Sequence, residues 1–119
     1  MTGLEIKSMS SPDETRTFVA NGHVDVVSVA GHPVLYGTFE PGWRWSEHVK
    51  PLAHTDSCQG THLLYVLSGR MMVAMNDGTT GEIGPGDVAA IAPGHDAWVV
   101  GDEPCISVDF GGYAQYAKG

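Results

Sequence analysis

From His23 onward, short apolar runs alternate with turn residues at intervals of roughly ten positions, the signature of many short strands. Val24 and Val26, with Val27 and Val29 one step out of register, make a β-branched run that ends at Gly31-His32-Pro33. Val34 to Phe39 reads as a second strand, stopped by Pro41-Gly42. Trp43-Arg44-Trp45-Ser46 alternates apolar with polar, which predicts a half-buried strand closed by Pro51. His62 to Met75 is the longest strand-like region, broken at Ser68-Gly69, and Asp77-Gly78 signals a hairpin. Glu82-Ile83 leads into Gly84-Pro85-Gly86-Asp87, Val88 to Ala92 precedes Pro93-Gly94, and Trp98 to Val100 and Ile106 to Phe110 complete the series. The pattern predicts an all-β sandwich or barrel over residues 21–112. Residues 1–20 read as a loosely held segment in which Ser11-Pro12-Asp13-Glu14 starts at most a turn or short helix, because no apolar run follows. In the tail, residues 113–119, Tyr113 and Tyr116 are expected to pack back onto the surface.

Composition narrows the picture without changing it. The chain's 119 residues suit one domain with a single core and an internal pocket. Gly 16 and Pro 7, scattered rather than periodic, agree with tight turns. A net charge of -8 repels phosphate backbones and anionic lipid, so nucleic-acid and membrane partners are not expected. Neither a signal-peptide core in the first ten residues nor a membrane-length apolar stretch is found, which predicts a cytoplasmic location. Cys58 and Cys105 are accordingly read as free thiols.

Tyr65-Val66-Leu67-Ser68-Gly69-Arg70, then Asp77-Gly78, Gly84-Pro85-Gly86-Asp87-Val88, Pro93-Gly94 and Gly101-Asp102-Glu103-Pro104 stand in the order and at the spacing of the cupin superfamily. From residue 34 to residue 110 the chain resembles a small single-domain cupin, which implies a cupin-type jelly-roll β-barrel. Gly69 and Gly86 fall where such a chain turns sharply and side chains are resisted.

Typical cupins carry two histidines and a glutamate on the first motif and a third histidine on the second. Here the glutamate position holds His62, the histidine pair falls near Asp56 and Cys58, and the last histidine position, counted from Pro93, falls on Ala97. Means of binding an ion nonetheless remain. In an extended strand, alternate residues share a face, so His54, Asp56, Cys58 and His62 can point together, unless a bulge at Gly60 flips part of the set. His95 is the candidate for the remaining ligand. Imidazole, thiolate and carboxylate suit a divalent ion, zinc first, with nickel, iron or manganese as alternatives.

Trp43, Trp45 and Trp98, with Tyr36 and Met72, are candidates for the substrate pocket wall. His48 and His95 are the histidines proposed to move a proton. No phosphate loop, nucleophile elbow or Cys-x-x-Cys pair is present. Two functions follow. The first is a metal-assisted enzyme of isomerase, cyclase, lyase or oxygenase type acting on a small organic substrate, the missing glutamate weakening the oxygenase choice most. The second is a non-catalytic small-ligand or sensor protein with a degenerate metal site. The resemblance also implies a homodimer, since pairing would cover exposed strand edges.

Overall fold

Where apolar and polar residues alternate, one face of the strand is buried, and opposing sheets supply the cover. The computed structural model describes residues 3–111 and 116–117. Nine strands run in the order β1 (Glu14–Thr17), β2 (Gly22–Val29), β3 (His32–Phe39), β4 (His62–Ser68), β5 (Arg70–Met75), β6 (Thr80–Ile83), β7 (Val88–Ile91), β8 (His95–Val100) and β9 (Cys105–Asp109). They form a six-stranded sheet, β1-β2-β3-β9-β4-β7, and a three-stranded sheet, β6-β5-β8. Every pairing is antiparallel. β9 enters between β3 and β4, and the two sheets close over a shared interior as a jelly roll. Val24, Leu35, Phe39, Leu64 and Val66 fill it from the large sheet, and Met71, Val73, Ala97 and Val99 from the small one.

The turns follow the sequence reading. Gly69 links β4 to β5 at φ +74, and a Cβ there would stand 2.1 Å from the carbonyl oxygen of Pro104, so the position admits only glycine. Asp77-Gly78 makes the β5–β6 hairpin, with the Gly78 N–H donating to the Met75 carbonyl at 3.0 Å.

Local structure departs from the sequence pattern at two places. Residues 14–17 form an edge strand, Arg16 is buried, and Phe18 joins the aromatic core beside Phe39 and Trp43. Polar residues sufficed here because β2 supplies the ladder. The strand predicted over Trp43 to Ser46 is instead a bridge at Arg44 followed by two single-turn helices, α1 (Trp45–His48) and α2 (Lys50–Ala53). The helix start is held by Asp96 on β8, whose carboxylate accepts the Ser46 N–H at 3.1 Å, a cap fifty residues away that no local pattern announces.

Strand parity also settles the pocket candidates. In β5 the inward residues are Met71 and Val73, so Met72 faces away. In β8 His95, Ala97 and Val99 face in, and Trp98 lies outside with the Arg44 guanidinium 4.3 Å above its ring. Leu35, Gly37 and Phe39 take the inner face of β3, which leaves Tyr36 outside. Trp43 and Trp45 are both 2% exposed and do line the interior.

Candidate metal centre and cavity

Two stretches far apart in sequence meet because Cys58 and His95 are partners in an isolated antiparallel bridge. The Cys58 N–H donates to the His95 carbonyl at 2.8 Å, and the Gly94 N–H to the Cys58 carbonyl at 2.7 Å. His62 opens β4 four residues later, opposite Ile91 on β7. All three side chains are buried, and one donor atom from each lies within 4.8 Å of the others. The imidazole rings of His62 and His95 stand 5.2 Å apart, inclined at 71°.

Hydrogen bonds orient both rings. His95 Nδ1 sits 2.8 Å from the Ala92 carbonyl oxygen, which can only accept, so Nδ1 carries the proton and Nε2 is left to face Cys58. His62 Nδ1 lies 2.5 Å from Asp109 Oδ2, and its Nε2 lies 3.5 Å from Cys58 Sγ. Asp109 is itself fixed, because its other oxygen accepts the N–H groups of Gly111 at 2.8 Å and Leu63 at 3.3 Å. A carboxylate behind a histidine is the usual device for aiming a metal ligand.

The charges follow from this packing. Burial pushes the Cys58 thiol up, but hydrogen bonds to His62 and His95, reinforced by their charge, outweigh it and bring the thiol down to about 6. Burial pulls His62 down, whereas its bonds to Asp109 and Cys58 and their negative charge carry it up to about 9. At neutral pH the pair is therefore thiolate and imidazolium. Cys105 has only burial acting on it, is pushed up to about 11, and is an inert core thiol.

A cavity of about 40 Å³ adjoins the two imidazoles, room for about three waters or one ion with a small ligand group. Its polar lining is His62, His95, Ser107 and Asp109, and Phe39, Trp43, Trp45 and Tyr116 line it as well. No lysine or arginine lines it among the described residues. The Trp43 Nε1–H is buried without a hydrogen-bond partner among the described residues.

The sequence-predicted residues divide clearly. Cys58, His62 and His95 converge. His54 and Asp56 are exposed, because α2 ends with His54 in the left-handed conformation at φ 60 and the chain re-enters the barrel only at Ser57. His48 is on α1, where Nδ1 accepts the Arg44 N–H at 3.0 Å; it does not line the cavity. Trp98, Tyr36 and Met72 are likewise absent from its wall. Two site residues escaped the sequence reading. Asp109 shares inward parity with Cys105 and Ser107 in an apolar strand, a signal that was legible. Tyr116, expected on the surface, is buried with its ring edge-on to His62 at 5.4 Å, and its carbonyl accepts from Arg16 Nη1 at 2.8 Å. Nothing local marked it. Tyr113 lies outside the described residues.

No family model matches the chain, and no curated protein matches it. Solved structures do. KdgF from Halomonas sp. superposes with a TM-score of 0.62 at 16% identity, over 91% of this chain and 91% of that one. The polyketide cyclase RemF from Streptomyces resistomycificus gives 0.61 at 16%, over 89% and 77%. A cupin-like protein from Thermotoga maritima gives 0.55 at 22%, over 88% and 78%. At these identities the likeness is one of fold, the cupin jelly roll read from the turn motifs.

Proposed function

We propose that this cupin-fold protein holds a divalent metal ion on Cys58, His62 and His95 and acts on a small organic molecule in the adjoining cavity. The convergence of the three donor atoms, all buried and within 4.8 Å of one another, carries the reading. One thiolate and two imidazoles form a three-protein-ligand set of the kind that leaves a catalytic zinc ion an open position. A bound ion would act as a Lewis acid, polarising a carbonyl or similar oxygen.

This chain's own residues would do the rest. Asp109 holds a His62 proton on Nδ1, and Ala92 holds that of His95 there too, so binding an ion would require His62 to give up only its Nε2 proton, the one it directs at Cys58. Phe39, Trp43 and Trp45 form the apolar wall against which a small ligand would be oriented. Tyr116 keeps water out on its side. His95 is assigned to holding the ion rather than moving a proton. A polyketide cyclase and an oxalate decarboxylase among the solved structures of this fold support an enzymatic role over a purely passive one.

The test is metal content. Untagged protein purified without chelator should carry about one equivalent of divalent metal by mass spectrometry, lost in Cys58→Ala, His62→Ala and His95→Ala. Cobalt substitution should add a thiolate-to-metal charge-transfer band that vanishes in Cys58→Ala. Less than about a tenth of an equivalent, even after soaking with zinc, nickel, iron and manganese, overturns the proposal.

A further inference from the structure

The cavity beside the three converging donors is lined mostly by apolar side chains: Leu35 and Phe39 from β3, Trp45 from α1, Leu64 from β4, and Met71 and Val73 from β5. The polar atoms nearest the donors are already engaged. His62 is bonded to Asp109 through Nδ1 and meets Cys58 through Nε2, and His95 bonds the Ala92 carbonyl through Nδ1. Asp109 has one oxygen on His62 and the other on the N–H groups of Gly111 and Leu63.

Ser107 is different. It faces inward on β9 between Cys105 and Asp109, is 5% exposed and lines the cavity, yet its hydroxyl makes no hydrogen bond among the described residues. Its cross-strand partner on β3 is Gly37. The Phe39 ring lies over that glycine, where a Cβ would stand 2.4 Å from Phe39 Cε2. A free hydroxyl and an aromatic ring are thereby held as neighbours, a polar point beside an apolar surface.

Charge narrows the choice of guest. The Asp109 carboxylate is on the wall, and among the described residues no lysine or arginine lines the cavity to meet an anion. With a divalent ion on Cys58, His62 and His95, the Cys58 thiolate and the Asp109 carboxylate already cancel the two positive charges. A carboxylate entering this cavity would lose water against apolar side chains, beside another carboxylate, with no net positive charge to offset the loss.

We propose that the cavity selects a small uncharged molecule with a hydrogen-bond acceptor, bonded to the Ser107 hydroxyl with its apolar body against Phe39 and Trp45, and that it rejects carboxylates of the same shape. The volume of about 40 Å³ limits the guest to a few non-hydrogen atoms, as in a small ketone or amide. This selection rests on the metal-centre reading for the cancelled charge, whereas Ser107, Asp109 and the apolar lining belong to the chain with or without an ion.

Acetone, acetamide and acetate test it, because they are flat, have the same number of non-hydrogen atoms and differ in charge. Methionine-methyl NMR of the intact chain contains its own control, since Met71 lines the cavity and Met72 faces away. In both zinc-soaked and chelator-treated protein, acetone and acetamide should move the Met71 signal saturably and leave Met72 in place. Acetate should bind at least about tenfold more weakly than acetamide. Ser107→Ala, with unchanged circular dichroism, should weaken both neutral probes at least about threefold, the worth of one hydrogen bond. Acetate that binds as tightly as acetamide overturns the proposal. So does a Met71 signal that neither neutral probe moves, or neutral binding that Ser107→Ala leaves intact. Metal content measured on the same samples separates the two readings. Neutral probes bound to a chain that takes up no metal refute the metal centre alone, and a full equivalent of metal with acetate preferred refutes this selection alone.

Discussion

Asp109→Asn isolates the group that aims His62. In the native chain one carboxylate oxygen accepts from His62 Nδ1, and the other accepts from the Gly111 and Leu63 N–H groups. Asparagine has only one acceptor to share between these sides. If its oxygen keeps the backbone N–H groups, its amide donates to His62 Nδ1 and drives the ring proton onto Nε2, the atom assigned to the metal. The electrostatic loss can be scaled. Packing carries His62 from its ordinary 6.5 up to about 9, which favours the charged ring. Burial opposes this rise, and the bonds and negative charge of Asp109 and Cys58 outweigh it, so replacing the carboxylate should cost on the order of 2 kcal/mol, the usual worth of a hydrogen bond to a charged group.

The pH dependence has a definite sign. A basic group whose pKa is raised on folding contributes its full stabilisation below about 6.5 and loses it as the pH rises through about 9. Urea unfolding of metal-free Asp109→Asn should therefore show a penalty of about 2 kcal/mol at pH 6, falling to about 1 kcal/mol at pH 10, where only a neutral hydrogen bond is at stake. Zinc affinity at pH 7.5 should fall by about 10- to 100-fold, the usual cost of losing a histidine's outer partner. A penalty equal at both pH values would refute the reasoning, since Asp109 would then be contributing shape and backbone bonds rather than charge.

Other consequences are simpler to read. Gly69→Ala combines a φ of +74 with a Cβ placed 2.1 Å from Pro104, and should cost at least about 2 kcal/mol in urea unfolding. Tyr116→Ala should lower stability by about 3 kcal/mol, the range for removing a buried aromatic, and should speed exchange of cobalt with free chelator by opening the wall beside His62. Trp98→Ala, which removes an indole stacked under Arg44 outside the barrel, should cost only about 1 kcal/mol and leave the cobalt spectrum unchanged; an altered spectrum would put Trp98 back in the pocket.

The turns and the strands between them were legible because each depends on a few neighbouring residues. Gly69, Asp77-Gly78 and Gly86 are required by backbone geometry whatever surrounds them. Cys58, His62 and His95 could likewise be singled out as donor atoms near motif positions, since chemistry is a property of the residue. Which of them meet was another matter. A strand pattern has period two, and nothing in the local sequence chooses which parity points inward once a turn, a bulge or a helical turn intervenes. Met71 rather than Met72 reaches the cavity for that reason.

The chain alone thus determined the all-β class, the spacing of the turns and the kinds of ligand available. Only the tertiary structure decided the partners. The Cys58–His95 bridge, the Asp109 carboxylate behind His62, the Asp96 cap on α1 and the burial of Tyr116 all join residues at least thirty-seven positions apart. Such contacts are selected by how two sheets close over a common core, a free energy summed over the whole interior that no short window of sequence contains.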